Sequence, residues 1–375
     1  MATLFWSSLF FIFYAYLGYP LLLMLLSLIK SRPVKKGDVT PSVSLIITAH
    51  NEEARIREKL ENTLALDYPR ERLEIIAASD GSTDETDTIV QSHESRGVRL
   101  VRAAQRNGKE AAQKLAVQAA SGEVLIFSDV ATILESNAIR NIVKNFADPT
   151  VGCVSSEDKI IDPGGKVSGE GAYVKYEMLL RDLETRANTL VGLSGSFFAA
   201  RRKVCDNWQP ELQSDFNTLL NAVNLGLRGV SDPESVGYYK TIADETKEYE
   251  RKVRTVLRGI AVFMKSLPML NPFRYGLFSW QLLSHKLCRW LVPAAMLIVF
   301  VSNAFILSGS SFYLALFVLQ LFFYVIAFGG IKIGNFARGI LKVPAFFVLV
   351  NLSILTAWSR YLRGERMLTW KPSER

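Results

Sequence analysis

Charge is absent from the start of this chain: residues 4–29, LFWSSLFFIFYAYLGYPLLLMLLSLI, contain no Asp, Glu, Lys or Arg. That run exceeds the roughly 20 apolar residues that cross a bilayer. No basic residue precedes it and no small-residue cleavage site closes it, which excludes a secretory signal peptide. Cysteine is scarce as well. Cys153, Cys205 and Cys288 lie far apart without metal-ligand spacing, so a cysteine zinc site is excluded and the thiols are expected to be reduced and structural. No internal repeat and no low-complexity tract interrupts the chain. Acidic residues are outnumbered, 36 against 44 basic, for a net charge of +8. The basic excess clusters beside apolar segments, which points to an anionic membrane surface and away from nucleic acid.

What is present divides the 375 residues into membrane and non-membrane parts. Hydrophobic residues make up 49% and gather at the two ends. Lys30, Arg32, Lys35 and Lys36 follow the first apolar run, placing what comes next in the cytoplasm and residue 1 outside. Three further membrane segments are expected at 291–308, 311–330 and 343–358. Four full crossings would put the C-terminal tail outside, against its run of arginines. The last segment, which contains Asn351, Ser353 and Thr356, is therefore expected to be re-entrant or interfacial, unless a stretch such as 266–283 dips into the membrane. The expected organisation is a transmembrane helix at 1–30, a basic linker at 31–41 and a cytoplasmic α/β domain at 42–245. Amphipathic or interfacial helices at 246–290, membrane segments at 291–358 and a basic tail at 359–375 complete it.

Within the α/β part, strands are expected at 42–49, 73–79, 98–103 and 123–128, separated by helices through Leu60 and Leu64, over 83–95 and over 107–120. Such alternation implies a parallel sheet with right-handed crossovers. Further helices are expected at 171–187 and 215–227, and an edge strand and loop at 229–240. Ligands bind at the carboxyl ends of strands in open α/β sheets, so the residues there carry the argument. They are AHNEE (49–53), SDGSTDET (79–86) and Asp129. Each has a local reading: Asn51 as an N-cap, Ser82 or Thr83 as an N-cap, Asp129 as a strand cap. Asp80 has no such explanation, and an aspartate there can accept hydrogen bonds from a base or ribose. Lys109 lies in the first turn of a helix, where it opposes the helix dipole and hints at an anionic partner. Positions 130 and 131 are Val and Ala, which can ligate nothing. On the helix at 250–266, Arg251, Arg254 and Arg258 share one face, suited to a diphosphate or to anionic lipid. Val253, Val256, Leu257, Ile260 and Met264 form its apolar side.

In this order and spacing the set resembles family 2 glycosyltransferases over about residues 42–265. These are GT-A fold enzymes, with a Rossmann-like nucleotide-sugar-binding domain, whose membrane-bound members include cellulose, hyaluronan and poly-N-acetylglucosamine synthases. The resemblance implies a multi-pass protein of the inner or plasma membrane. It implies that Asn51, Glu52, Asp80, Lys109, Asp129, Arg251 and Arg254 bind the nucleotide-sugar. It also implies that Gly195 and Ser196 of VGLSGSFFAARR lie at the acceptor and that Asp215 of LQSDFNTLL is the general base. The local alternatives are close packing for the glycine and an N-cap for Asp215.

The family's paired aspartates after the fourth strand read Asp129-Val130-Ala131 here. Mg²⁺ takes one or two protein carboxylates, with phosphate oxygens and waters completing its shell. Asp129 alone is therefore expected to hold Mg²⁺ or Mn²⁺, with weakened affinity. A tryptophan of processive relatives is replaced by Thr255, which removes an apolar stacking surface for the acceptor sugar. The implied activity is inverting transfer from a UDP-sugar to a polysaccharide or lipid-linked acceptor in cell-surface polysaccharide synthesis. The alternative, suggested by Ala131 and Thr255, is a non-catalytic nucleotide-sugar-binding membrane protein.

Overall fold

The computed structural model describes residues 1–161, 172–240, 245–333 and 342–367. Residues 241–244 of the expected domain at 42–245 and residues 368–375 of the expected basic tail at 359–375 lie outside the described residues. Two compact units emerge. One comprises Met1–Leu25 and Asp244–Arg366, the other Leu26–Ala243.

The second unit is built on an eight-stranded sheet in the order β3-β2-β1-β4-β7-β6-β8-β5. The strands are β1 (Val43–Ala49), β2 (Leu73–Ser79), β3 (Val98–Arg102), β4 (Val124–Asp129), β5 (Ile133–Leu134), β6 (Val151–Ile161), β7 (Phe197–Arg201) and β8 (Arg228–Lys240). The first four are mutually parallel where they pair, in the order 3-2-1-4. β7 then runs antiparallel between β4 and β6. The stretch expected to be an edge strand and loop at 229–240 is a 13-residue strand inside the sheet, flanked by β6 and the two-residue β5. Its Pro233 and the acidic residues around it hid this, because β8 is shifted in register between its two halves on β6.

β1 is buried at every position because helices cover both faces of the sheet, and side chains alternate between them. Leu45, Ile47, Ile75, Ala77 and Ile126 face one core, shared with Ile56 and Leu60 of α1 (Ile56–Leu64) and with Ile139, Ile142 and Val143 of α2 (Ala138–Lys144). Ile46, Ile76, Ala78, Leu125 and Phe127 face the other, with Ala112 and Ala116 of α3 (Lys109–Ala119) and Leu219 of α4 (Ser214–Asn224). Each fully buried aliphatic side chain of this kind contributes about 1.5–3 kcal/mol. Cys153 and Cys205 are buried and free in the second core, and burial pushes both thiols up. These cores fix the register that matters for the site. Thr48 lies opposite Asp129 and Ala49 opposite Ser79, so residues 50–52, Asp80 and Asp129 leave the sheet at one edge.

Ala2–Ile29, Leu277–Gly309, Ser311–Ile331 and Val343–Leu362 are long and apolar enough to cross a membrane, and they fit transmembrane helices. The second of these begins well before residue 291. The last forms an unbroken helix, α6 (Lys342–Leu362), without the internal turn of a re-entrant segment. α5 (Glu245–Lys265) is the amphipathic helix. It packs on α6 through Tyr249 to Thr356, Glu250 to Arg360, and the Lys252 ammonium over the Phe346 ring. Val253, Leu257 and Ile260 are buried as its pattern requires, whereas Met264 is exposed.

Candidate active site

Two loops meet above β1 and β2. Asn51 is the one non-glycine residue with positive φ, at 51°, among the described residues, a conformation Asn tolerates better than most. Its Oδ1 accepts the Thr83 N–H at 2.9 Å. Glu53 and Asp84 tie the same loops together: Asp84 Oδ2 accepts from Glu53 N, and Glu53 Oε2 from Glu85 N. The N-cap readings of Asn51, Ser82 and Thr83 are thus corrected, since the helices that follow start at Ile56 and Thr86. The polar groups that looked like local caps are spent between loops.

Asp80 is fully buried. Its Oδ1 accepts the Asn107 N–H at 2.8 Å, and the Gly108 N–H lies 3.1 and 2.9 Å from Oδ1 and Oδ2. Gly108 adopts φ of 99°, which a side chain would resist, and thereby turns its N–H onto the carboxylate. Asp80 therefore holds the loop ahead of α3 and with it the position of Lys109. Glu52 is buried too. Burial raises its carboxyl pKa, nearby Asp129 and Asp84 add to this, and the ion pair to Arg55 opposes it.

Lys109 reaches back across the sheet edge. Its Nζ donates to Asp129 Oδ1 at 2.5 Å and to the Gly195 carbonyl at 3.1 Å. Asp129 N in turn donates to the Ser196 carbonyl at 2.9 Å. A Cβ built on Gly195 would stand 2.8 Å from Asp215 Oδ2. A continuous chain of contacts, Lys109–Asp129–Ser196–Gly195–Asp215, thus crosses from the end of β4 to the start of α4. Asp215 sits in the first turn of α4 and is not its N-cap, which is Gln213. Its Oδ1 accepts Phe216 N at 2.7 Å and its Oδ2 accepts Gln213 Nε2 at 3.1 Å.

Gly195 lies two residues ahead of β7, which begins at Phe197. Its lack of a side chain leaves room beside Asp215. We expect Gly195→Ala to displace the flexible carboxylate while sparing the backbone, cutting turnover about tenfold to a hundredfold by misplacement with the melting temperature nearly unchanged. Parallel activity and thermal-melt measurements check this, and a large loss of stability would instead mark Gly195 as a packing residue.

Two participants were not found in the sequence. Asp158 on β6 accepts the hydroxyls of Ser194 and Ser196, both at 2.5 Å, and so sits against the strip that holds Gly195. Lys59 on α1 is fully buried, and donates to Ser128 Oγ at 2.7 Å and the Thr132 carbonyl at 2.5 Å. Burial lowers its pKa to about 7, against the pull of Asp129. Between about 7 and 10.5 the unfolded chain holds this proton more firmly than the folded one, so stability falls as pH drops through that window. Below it, both states are protonated and the loss is constant. Wild-type melting temperature should therefore rise from pH 7 to pH 9, and the rise should flatten in Lys59→Met.

In the other unit, Arg251 forks onto Glu248 with two contacts of 2.7 Å, and Lys252 joins the same carboxylate. Burial would push Glu248 up, but these two cations hold it at about 2. Arg251 is therefore committed to an internal partner. Arg254 has no ion pair among the described residues; burial, then Arg258 and Arg251, lower its pKa.

No group of three metal-ligating carboxylates, histidines or cysteines exists among the described residues. Asp129 nonetheless fits a cation completed by a ligand's phosphates. Its side chain is 32% exposed, and among the described residues only Oδ1 takes a hydrogen bond, from Lys109.

Residues 44–208 match the glycosyl transferase family 2 model. A poly-beta-1,6-N-acetyl-D-glucosamine synthase of Staphylococcus aureus (strain COL) is 28% identical over 175 residues, 45% of this chain and 42% of the relative. A probable glycosyltransferase, YdaM of Bacillus subtilis (strain 168), is 26% identical over 199 residues, 50% of this chain and 47% of the relative. The matched region thus spans less than half the length of these curated relatives. Among solved structures, the mannosyltransferase PcManGT of Pyrobaculum calidifontis, in complex with GDP-Man and Mn²⁺, superposes with a TM-score of 0.73. It is 22% identical and covers 96% of this chain and 99% of its own, a likeness of fold.

Proposed function

We propose, for a chain whose residues 44–208 match the glycosyl transferase family 2 model, that it transfers a sugar from a nucleotide-sugar, with UDP as the carrier, to an acceptor hydroxyl with inversion at the anomeric carbon. The observation that carries this reading is the chain of contacts from Asp129 to Asp215, which sets a donor-side and an acceptor-side carboxylate on either flank of Gly195 and Ser196. The acceptor is a polysaccharide or a lipid-linked sugar, and the setting is cell-surface polysaccharide synthesis at the cytoplasmic face of the inner or plasma membrane. The four apolar helices and the poly-N-acetylglucosamine synthase among the relatives support it.

On the donor side, Asn51 and Glu52 present their loop to the base and ribose. Asp80 supports that site from beneath, through its contacts to Asn107 and Gly108. Lys109 and Asp129 face the diphosphate, and Arg254, which makes no ion pair among the described residues, is assigned to an anionic ligand. Arg251 is assigned a supporting place through Glu248. Asp129 would hold Mg²⁺ or Mn²⁺, which when bound neutralises charge on the leaving diphosphate. On the acceptor side, Asp215 takes the proton of the attacking hydroxyl, with Gly195 and Ser196 giving the sugar access.

The test is radiolabel transfer from a panel of nucleotide sugars into membranes carrying the full chain, with product analysis. Incorporation that depends on Asp215 and Asp129 supports the reading. Nucleotide-sugar binding without turnover would establish the non-catalytic alternative.

A further inference from the structure

We propose that Lys59 is a positioning residue for Asp129, clamping from beneath the turn that presents its carboxylate to the donor. The inference rests on the reading of Asp129 as the donor-side ligand. The turn has a particular weakness. After Asp129 come Val130 and Ala131, which offer no side-chain hydrogen bond to hold it. Its own backbone supplies the Thr132 N–H to the Asp129 carbonyl at 3.1 Å. Lys59 bonds to both flanks at once, to Ser128 just before Asp129 and to the Thr132 carbonyl just after Ala131.

Asn62 stands one turn further along the same helix face. It grips the next stretch twice, donating to the Leu134 carbonyl and accepting from Leu134 N, both at 2.9 Å. Helix α1 therefore anchors residues 128–134 through two polar side chains on an otherwise apolar face. A relative with two aspartates would share the cation between two side chains. Here a single carboxylate must be aimed by its backbone.

The energetics favour this role over a purely architectural one. Burying an amine away from water costs several kcal/mol unless it is well bonded, and an apolar side chain would fill the space without that cost. Lys59 donates equally to Ser128 and Thr132 whether charged or neutral, so the clamp does not depend on its protonation.

Charge and position predict opposite results. A cation near Asp129 repels a metal ion, so if its charge were its whole effect, Lys59→Met would tighten metal binding. As a clamp, its loss must weaken it. The experiment is Mn²⁺ binding by electron paramagnetic resonance on the detergent-purified full chain at pH 7 with saturating UDP, alongside thermal melts. We expect Lys59→Met to weaken Mn²⁺ about tenfold or more with a melting temperature within a few degrees of wild type. Ser128→Ala, which deletes the acceptor of Lys59 and the 3.4 Å bond from Ser128 Oγ to the Asp129 carbonyl at nearly constant volume, should weaken it less, in the same direction. It also carries the test if Lys59→Met does not fold. Unchanged or tightened Mn²⁺ binding in both overturns the proposal. Asp129→Ala separates the two levels: if it leaves Mn²⁺ affinity at the wild-type value, the reading of Asp129 itself is wrong. If it abolishes binding while Lys59→Met does not alter it, only the clamp fails.

Discussion

Asp215→Asn is expected to reduce sugar transfer by at least about a thousandfold while the protein stays folded. A positioned general base contributes on the order of 10²–10⁴ in rate, and Asn cannot accept the acceptor's proton. The structure says why the fold should survive. Asn retains a carbonyl oxygen to receive the Phe216 N–H now bound by Oδ1, and Gln213 can rotate its amide to suit the new neighbour. What is lost locally is one negative charge in the first turn of α4, worth about 0.3–1 kcal/mol. A melting temperature within a few degrees of wild type, with transfer at background, is the expected pair of results. Unchanged incorporation would remove Asp215 from the mechanism. In that event Asp158, the other carboxylate against the 194–196 strip, would be the next candidate.

How far this site was legible in the sequence depends on the kind of interaction. Strands β1, β2 and β4 declare themselves, because a strand buried on both faces carries a short apolar run, and each, like the half-exposed β3, falls within a residue of its expected place. The carboxyl-end residues followed from that topology. Helix starts did not, for a physical reason. Asn51, Glu53 and Thr83 have the composition of caps, but their hydrogen bonds run from one loop to the other, and Asp84 divides its carboxylate between the local Thr86 N–H and Glu53 N of the other loop; a sequence displays only the local partners. β6 was missed because Ser155, Ser156, Glu157, Asp158 and Lys159 interrupt the apolar pattern, so Asp158 went with it.

Lys59 left a signal that could have been used. Ile56, Leu60, Thr63 and Leu64 form the buried stripe of α1, and Lys59 falls on that stripe with them. A lysine in the apolar phase of a helix must either snorkel or find partners inside. In α5 the same kind of reading was half right. The arginine face was visible, but the Glu248 that claims Arg251 and Lys252 was not, because a stripe says nothing of the acid one turn away. Lys252 lies over the Phe346 ring.

Asp129→Ala should abolish metal-stimulated transfer, a loss of several kcal/mol of charge stabilisation at the leaving diphosphate, while altering the fold little because the side chain is partly exposed. The wild type already sits close to the limit of what one carboxylate can do. Lys109 occupies Oδ1, leaving Oδ2 for a cation, so activity should need more Mg²⁺ or Mn²⁺ than in relatives with two aspartates. The ion pair makes that requirement adjustable. Lys109→Met removes a competitor for the carboxylate and should lower the metal concentration at half-activity. It also removes a cation that faces the diphosphate, so the maximal rate should fall. Metal titrations of wild type, Lys109→Met and Asp129→Ala in one membrane preparation distinguish these effects. If Lys109→Met raises the metal requirement, the lysine and the metal cooperate on the donor and do not compete for Asp129, and the pair seen in the structure is not an obstacle to catalysis.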